Sequence, residues 1–247
     1  NLRINLHISD VTCTVSIDSS GESLHKRGYR LETNEAPISE ALAAGLILLS
    51  GWDKKSHFVD GMCGSGTFLI EAAMIGANIP ANINRKHFAF QNWPDYDEAL
   101  WNLIRNSQLK RAVDCYGKII GYDLNPETVA SAKLNIANSG LENYIEIHCK
   151  NFFETKKPEG PTHLVFNPPY GVRIQGDITE MYKSIGDTLK KNYSGAEAWF
   201  LTSHMDGLKH VGLRASRKIE IYQAKLECRF VKYEMYQGSK KMKYKKV

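Results

Sequence analysis

The sequence predicts an α/β fold built on a mostly parallel sheet. From Phe58 onward, short apolar runs alternate with stretches whose apolar residues recur at helical spacing, a pattern typical of a parallel sheet covered by helices on both faces. A glycine-rich turn joins the first of these strands to the helix that follows it. The last two apolar runs, 218–222 and 226–231, lie close together in the sequence and predict a closing antiparallel hairpin.

The composition fits one globular domain of ordinary size. The chain has 247 residues, of which 43% are hydrophobic and 24% are charged. It contains no apolar run long enough to span a bilayer and nothing that resembles a signal peptide, so we expect a cytoplasmic protein without a membrane partner. Its five cysteines form no C-x-x-C pair and its eight histidines show no metal-ligand spacing, so we expect reduced thiols and no metal. Nothing in the residues indicates an oligomeric state.

Positive charge is concentrated at the C-terminus. The net charge is +5, and the residues from Lys232 onward include six lysines and one glutamate, so the preceding residues sum to zero. The lysine-rich segment 240–246 either contacts nucleic-acid phosphates or is a solvated terminus.

The first 30 residues differ from the rest of the chain. Residues 2–8 and 12–18 alternate apolar and polar side chains, which predicts a hairpin, and a basic, aromatic stretch follows at 24–30. Because two strands alone are marginally stable, the hairpin either packs on the main domain or belongs to a longer N-terminal region. We expect the main domain to cover residues 31–247 and to begin with a helix that Ala36–Ser39 opens and Gly51 ends.

An acidic strand end and a glycine turn form the first candidate ligand site. The apolar strand 58–60 ends in Asp60, the turn runs from Gly61 to Thr67, and a helix follows. Glycines permit positive φ angles and let a ligand approach the backbone. The acid suits a positive amino group and the helix N-terminus suits a carboxylate, and S-adenosylmethionine carries both. The glycine spacing is neither that of a phosphate-binding loop nor G-x-G-x-x-G.

Two further strand ends extend this site. Strand 118–123 ends in Asp123, which either accepts both hydroxyls of a ribose, as in dinucleotide-binding folds, or is a surface carboxylate. Asn125 and Pro126 then predict a helix start, and Gly140 its end. After the next strand, 144–149, Asn151 and Phe152 either contact an adenine or form an ordinary turn and a core contact.

A long insertion interrupts the first crossover of the sheet. It covers about residues 78–116 and contains the aromatic stretch 88–93 and a helix predicted over 96–111. Long insertions of this kind lie at the surface and often carry substrate contacts. Its aromatic side chains either pack on one another or stack on bases.

The most informative motif is Asn167–Pro168–Pro169–Tyr170, which follows the apolar strand 162–166. Two successive prolines lack N–H donors and turn the chain out of the sheet. The Asn167 amide oxygen and the Pro168 carbonyl can accept both hydrogens of a planar NH2 group, while the Tyr170 ring stacks on its flat face. Alone, the motif is equally typical of a rigid turn; the glycine turn upstream favours a site that methylates an amine.

Together these residues resemble the catalytic part of the THUMP-domain-associated methyltransferases, and most of all the RlmL-type 23S rRNA guanine-N2 methyltransferases. Members of this group often carry the name N6-adenine-specific DNA methylase because they share N-P-P-Y. The resemblance covers nearly the whole chain, including the segments 21–30, 36–40, 60–67, 88–93, 167–173 and 226–229. It implies a Rossmann-like S-adenosylmethionine-dependent fold of seven strands with a reversed last hairpin, a substrate in 23S rRNA, and residues 1–30 as the end of a THUMP-containing region.

The resemblance also implies a role for each candidate residue. The residues implied at the methionine part of S-adenosylmethionine are Asp60, Gly61, Gly64, Gly66 and Thr67. Asp123 is implied at the ribose, Asn151 and Phe152 at the adenine, and Asn167, Pro168, Pro169 and Tyr170 at the target base. The family usually has proline at position 61, so we expect a more mobile loop here, and aspartate at position 151, so we expect a weaker adenine contact. The closing turn has Gln223–Ala224 where the family often has Asn-Gly, which affects the turn more than the chemistry.

Three other classes of function remain open at this point: another amine methyltransferase, a non-catalytic binding module and a dehydrogenase. A DNA adenine-N6 methyltransferase or a protein glutamine methyltransferase would also use N-P-P-Y, although the N-terminal stretch and the insertion favour RNA. A non-catalytic RNA-binding module would keep the fold but has no need of the intact acid and glycine turn. A nicotinamide dehydrogenase is disfavoured by the glycine spacing and by the absence of a second catalytic domain.

Overall fold

The computed structural model describes residues 2–31, 37–169, 178–223 and 225–236. It contains a two-stranded ribbon and a seven-stranded sheet. The strands are β1 (Ile4–Ser9), β2 (Thr12–Ile17), β3 (His57–Asp60), β4 (Ile119–Asp123), β5 (Ile145–Cys149), β6 (Thr162–Phe166), β7 (Glu197–Thr202), β8 (Arg217–Gln223) and β9 (Leu226–Glu234). The α-helices are α1 (Glu40–Ser50), α2 (Thr67–Gly76), α3 (Glu98–Leu109), α4 (Pro126–Ser139) and α5 (Ile178–Asn192), and short 3-10 helices cover Ala89–Asn92, Phe152–Glu154 and Gly207–Lys209.

The large sheet has the strand order β5-β4-β3-β6-β7-β9-β8. Its first five strands are parallel to one another, whereas β9 is antiparallel to both β7 and β8. The predicted fold class is therefore confirmed, including the reversed C-terminal hairpin. The chain leaves β3 toward β4 and β5 and later returns to β6 on the other side of β3, so the order reverses between β3 and β6.

Helices cover both faces of this sheet. One core cluster joins α1, α2 and α4 to one face, with Leu46, Leu69 and Ile136 among its buried side chains. A second cluster joins α5 to the opposite face through Tyr182 and Leu189. Buried on both sides, the central strands have the apolar sequences expected of a parallel sheet.

Local sequence signals set the helix ends. The Ser39 side chain accepts a hydrogen bond from the Leu42 N–H at the start of α1, and Gly51 ends that helix with φ 75°. The Asn125 side chain accepts from the Glu127 N–H before α4 at 2.8 Å. These ends are those that the sequence predicts. Gly171, Arg173 and Asp177 lie outside the described residues, as do Ala36, Ala224 and the lysine-rich segment 240–246.

The predicted boundary between residues 30 and 31 falls inside a segment that packs on the main domain. Tyr29 is 1% exposed and donates a hydrogen bond to the buried Glu71 carboxylate of α2, which also pairs with Arg27 at 3.4 Å. The Leu31 N–H bonds the Asn135 side chain of α4 at 2.9 Å. These contacts join the end of the N-terminal stretch to α2 and α4, which lie far away in the chain, and the boundary between residues 30 and 31 stays a prediction. By contrast, every residue of β1 and β2 is exposed.

The insertion between α2 and β4 carries α3 and an aromatic cluster. Phe88 and Phe90 both contact Trp101 of α3, with ring centroids 5.5 and 5.1 Å apart. The Phe90 ring also lies near Tyr96. The aromatic residues therefore pack on one another, which was one of the two alternatives for this segment.

All five cysteines are unpaired in the structure. In the ranges described, no helix is both long and apolar enough to cross a membrane. Within the same ranges, His, Cys, Asp and Glu side chains form no group of three or more that could hold a metal ion.

A buried histidine at the start of β6 makes stability depend on pH. His163 Nε2 lies 2.8 Å from Ser50 Oγ, and Nδ1 lies 3.5 Å from the Glu197 carboxylate. Burial lowers the pKa of His163 to about 4 despite the Glu197 charge. Between pH 6.5 and 4 the unfolded chain therefore binds a proton that the folded chain does not, and the free energy of unfolding falls as the pH falls.

We expect acidification from pH 7 to pH 5 to cost about 1–2 kcal/mol through His163 alone. Urea unfolding at the two pH values measures the loss. His163→Gln keeps a neutral hydrogen-bonding side chain and should remove most of this dependence. An equally steep pH dependence in that variant would show that other groups cause it.

Candidate active site

Asp60 and Asn167, two of the predicted site residues, lie close together where the strand order reverses. Val59 of β3 pairs with Leu164 of β6, and Asp60 pairs with Gly121 of β4. Asp60 ends β3, and Asn167 follows the last residue of β6. From strand spacing and rise, the Cα atoms of Asp60 and Asn167 are about 8 Å apart. Open α/β sheets bind ligands in the crevice at the carboxyl ends of the strands beside such a reversal.

Backbone hydrogen bonds fix the glycine turn against β4. The Gly64 N–H donates to the Asp123 carboxylate at 3.0 Å, and the Cys63 N–H donates to the Tyr122 carbonyl at 2.9 Å. Gly66 has φ 83°, a left-handed conformation that favours glycine, and α2 begins at the next residue, Thr67. No described side chain caps the N-terminus of α2. Its N–H groups and the helix dipole therefore suit an anionic ligand group.

Asp60 is a buried carboxylate without a full set of partners. It is 1% exposed, and Oδ1 accepts from the Met62 N–H at 3.1 Å. Oδ2 has no hydrogen-bond partner in the part of the chain that the structure describes. Burial, followed by the nearby Asp123 charge, raises the pKa of Asp60 well above its usual range. Such a group gains most from a ligand that brings a positive charge and N–H donors.

Asp123 keeps capacity for a ligand although the protein uses both of its oxygens. Oδ2 accepts from Gly64, and Oδ1 accepts from the Asn125 N–H at 3.0 Å. An ionised carboxylate has about four acceptor positions, so two remain for hydroxyl groups. Asp123 is half-buried, and it therefore links the glycine turn, the cap of α4 and an accessible edge of the crevice.

Arg30 holds the turn from the other side, and sequence reasoning assigned it no role of its own. Its guanidinium donates to Ser65 Oγ at 3.2 Å and to Thr67 Oγ1 at 3.0 Å. It also pairs with Glu40 of α1 at 3.0 Å. One side chain from the N-terminal stretch thus connects the start of α1 to the start of α2. Only tertiary structure brings these three segments together, and the sole sequence signal was the basic character of 24–30.

Asn151 caps, and Phe152 begins, a short 3-10 helix after β5. The Asn151 side chain accepts from the Phe153 N–H at 3.0 Å. Phe152 is 3% exposed and packs against the rings of Phe166 and Tyr193. This is the core contact that was the alternative to an adenine contact. Their roles toward adenine remain predictions.

Gly61 and Phe152 are matched in size. A Cβ on Gly61 would lie 2.6 Å from Cδ2 of the Phe152 ring, so no larger residue fits without movement of that ring. Glycine at position 61 therefore leaves room for the ring. The more mobile loop expected from glycine at this position stays a prediction.

We expect Gly61→Ala to lower the free energy of unfolding by about 1–3 kcal/mol, because the new methyl group displaces a packed ring. In a Phe152→Leu background the same substitution should cost clearly less. Urea unfolding of the four proteins gives the coupling between the two positions. Equal costs in both backgrounds would mean that the ring is not what excludes a side chain at position 61.

Asn167 presents a second unsatisfied oxygen at the same edge. Its Oδ1 is buried and has no hydrogen-bond partner among the described residues. Pro168 is buried and Pro169 is half-buried, which fixes the backbone just after β6. Tyr170 lies outside the described residues, so its predicted stacking role stays a prediction.

Three buried side-chain oxygens lack a described partner, and the two at this edge, Asp60 Oδ2 and Asn167 Oδ1, fit the ligands that the sequence predicts; the third, Asn82 Oδ1, lies in the insertion. Asp60 Oδ2 suits a cationic amino group such as that of S-adenosylmethionine, with the α2 N-terminus for a carboxylate and Asp123 for ribose hydroxyls. Asn167 Oδ1 suits an N–H donor such as an exocyclic amine. Buried polar atoms are almost always paired in folded proteins, so a ligand that pairs both explains their burial.

The chain resembles proteins of known structure and named function. It is 35% identical over 247 residues to the ribosomal RNA large subunit methyltransferase K/L of Shewanella frigidimarina, and the match covers 97% of this chain and 35% of that protein. The structure of SMU.472, described as a methyltransferase complexed with SAH, is 36% identical with a TM-score of 0.87 and covers 96% of this chain and 63% of that one. A predicted N6-adenine-specific DNA methylase from Listeria monocytogenes is 32% identical with a TM-score of 0.86, covering 96% and 61%.

The sheet is parallel except for its reversed last hairpin, and a glycine turn and acidic strand ends lie at its switch point. These features define the class as a Rossmann-like methyltransferase domain. Within that class, the chain belongs to the UPF0020 family, the RMKL-like methyltransferase domain, whose model matches residues 27–232. The chain spans about a third of the length of the Shewanella relative.

Proposed function

We propose that this domain transfers a methyl group from S-adenosylmethionine to the exocyclic amine of a nucleobase in RNA, namely guanine N2 of 23S rRNA. The observation that carries the proposal is the pair of buried, unpartnered oxygens, Asp60 Oδ2 and Asn167 Oδ1, at one switch point. One suits the amino group of the methyl donor and the other suits the amine that is methylated. The Shewanella relative is named as a ribosomal RNA methyltransferase, which supports RNA as the substrate.

The protein's part in the reaction is positioning and electrostatics. S-adenosylmethionine supplies an electrophilic methyl group on a sulfonium. An exocyclic amine is a poor nucleophile because its lone pair is delocalised into the ring. Asn167 Oδ1 and the Pro168 carbonyl would accept its two hydrogens and favour a pyramidal nitrogen whose lone pair faces the methyl group. No strong base is needed beforehand, since the proton becomes acidic once the nitrogen is methylated.

The target base has to leave its stack to reach the crevice. We propose that Tyr170 offsets part of that cost by stacking, which is worth about 1–3 kcal/mol per base. We propose Asp123 for the ribose, and Asn151 with Phe152 for the adenine side of the methyl donor.

The proposal also assigns a role to each part of the chain. Residues 1–30 would be the end of a THUMP-containing N-terminal region, since the β1–β2 hairpin gathers its apolar side chains on one face and leaves that face exposed. Residues 31–247 would be the catalytic domain, with its insertion at about 78–116. A substrate in ribosomal RNA supports the proposal that the protein acts in the cytoplasm.

Methyl transfer from tritium-labelled S-adenosylmethionine into rRNA, plasmid DNA and a protein release factor tests this function. We expect label in rRNA, and 2-methylguanosine when the RNA is digested and analysed by mass spectrometry. Label in DNA as 6-methyladenine, or in a glutamine side chain, would establish one of the competing activities instead. Calorimetry without any S-adenosylmethionine binding would favour a non-catalytic RNA-binding module.

A further inference from the structure

A large groove lies beside the site but contains none of the residues predicted to bind the cofactor or the base. Its volume is about 950 Å³. One wall is the N-terminal stretch from Ser20 to Arg30, the other is the insertion from Asn84 to Asn92, and residues 37–40 at the start of α1 form the floor. We call it the linker groove.

The linker groove is preformed, because its two walls are joined by hydrogen bonds. The Phe90 and Ala89 N–H groups donate to the Ser19 and Ser20 carbonyls at 3.0 and 3.2 Å. The Arg85 guanidinium donates to the carbonyls of Ser20, Glu22 and Ser23 at 2.9, 2.7 and 3.2 Å. Binding of a partner in this groove therefore requires little further ordering of its walls.

The lining of the groove carries an excess of positive charge. Five of its residues are Lys or Arg, two are Glu, and two are His: Lys26, Arg27, Arg30, Arg85, Lys86, Glu22, Glu40, His25 and His87. The charges of Arg27 and Arg30 are balanced by the buried carboxylates of Glu71 and Glu40. Among the described residues, Arg85 bonds neutral carbonyls alone and contacts the Phe88 ring, so no described acid cancels its charge.

Lys86 is the side chain most available to a ligand. It is exposed, and in the part of the chain that the structure describes its ammonium group has no hydrogen-bond or ion-pair partner. Lys26 is also exposed, and its pair with Glu22 at 3.3 Å is a surface contact that contributes little. The residues before Lys232 have no net charge, so this excess is a local feature rather than part of a generally basic surface.

The floor of the groove is connected to the cofactor turn. Arg30 and Glu40 line the groove, and Arg30 bonds Ser65 and Thr67 of the glycine turn. A ligand chain lying in the groove would thus be separated from the glycine turn, which follows Asp60, by a single side chain, that of Arg30. Spaced cations with Ser, Asn and His donors suit phosphates and ribose hydroxyls, the groups that position nucleic acids on proteins.

We infer that the linker groove holds the sugar-phosphate backbone of the RNA next to the nucleotide that is methylated. The inference rests on the proposed function and names the surface that the substrate uses. It gives the N-terminal stretch and the insertion a common role. Lys86 and Lys26 contact phosphates, while Arg30 keeps the groove and the glycine turn in a fixed relation.

Fluorescence anisotropy with a labelled single-stranded RNA of about 20 nucleotides and mixed sequence, titrated from about 50 to 200 mM salt, tests the inference. Each phosphate contact on a single strand contributes about 0.7 to the slope of log affinity against log salt. Lys26→Gln with Lys86→Gln should therefore raise the Kd about tenfold and lower the slope by about 1.4. The control is Lys191→Gln with Lys218→Gln, which removes the same charge from exposed positions on α5 and β8 outside the groove and should change neither quantity.

Calorimetry keeps this outcome separate from the proposed function. Both double variants should bind S-adenosylmethionine like the wild-type chain. If the wild-type chain methylates rRNA and the groove variant binds and methylates RNA equally well, the groove inference is overturned and the function stands. If the wild-type chain methylates no RNA, the function itself fails. A poly-glutamate peptide that binds the groove as tightly as the RNA would identify an acidic protein partner and overturn the inference.

Discussion

Asn167→Ala should lower the rate of methyl transfer at least 10²–10³-fold, in the range seen when one hydrogen-bonding group is removed from a catalytic site. The reason is that the buried Oδ1 has no described partner of its own and is free to accept from the amine. Its removal leaves the nitrogen lone pair delocalised and the base poorly oriented. Affinity for S-adenosylmethionine should stay within about twofold, since Asp60, Asp123 and the glycine turn are unchanged. Single-turnover methylation and calorimetry measure the two quantities.

Two further variants make this result specific. Asn167→Asp keeps an acceptor oxygen at the same place and should retain more activity than the alanine variant. Asn143→Ala removes an exposed asparagine before β5, at the opposite end of the sheet, and should behave like the wild-type chain. Wild-type rates in Asn167→Ala would mean that another group orients the amine.

Asp60→Asn should weaken binding of S-adenosylmethionine about ten- to a hundredfold, the usual cost of losing a hydrogen bond to a charged group. The same change should leave the folded protein at least as stable at pH 7. Burial raises the pKa of Asp60 in the folded chain. At pH values between the usual pKa of an aspartate and this raised pKa, the folded chain binds more protons than the unfolded chain. The free energy of unfolding therefore falls as the pH rises through this range. An amide carries no charge and removes this penalty.

Calorimetry and urea unfolding together test that pair of effects. A cationic amino group favours the ionised carboxylate, so affinity should increase as the pH rises through the raised pKa of Asp60, and in that range the measured enthalpy should depend on the ionisation enthalpy of the buffer. Asp114→Asn removes an exposed carboxylate just before β4 and is the matched control. A variant that is unstable yet binds S-adenosylmethionine normally would make Asp60 a structural group.

The fold could be predicted from the sequence because local signals agree with one another. Ser39, Asn125 and Pro126 mark helix starts, Gly51 and Gly140 mark helix ends, and the strands between them are short and apolar. The contacts of the N-terminal stretch could not be predicted. Tyr29 and Arg27 bond Glu71, which lies more than 40 residues further along the chain. No local pattern reports such a contact.

The site could be predicted in outline but not in detail. Acids and asparagines at strand ends meet because parallel strands end at one edge, so Asp60, Asp123 and Asn167 were identifiable from order alone. The bridge that Arg30 forms to Ser65 and Thr67 depends on tertiary structure. The burial of Phe152 against Gly61 depends on packing, which spacing does not encode.

A structure of the protein with S-adenosylhomocysteine tests the central claim most directly. We expect the amino group of the ligand to pair with Asp60 Oδ2, its ribose to bond Asp123, and its sulfur to face Asn167 Oδ1 across a space the size of one methyl group and one amine. A ligand bound elsewhere, or an Asn167 oxygen turned away from the sulfur and paired with the protein, would contradict the account.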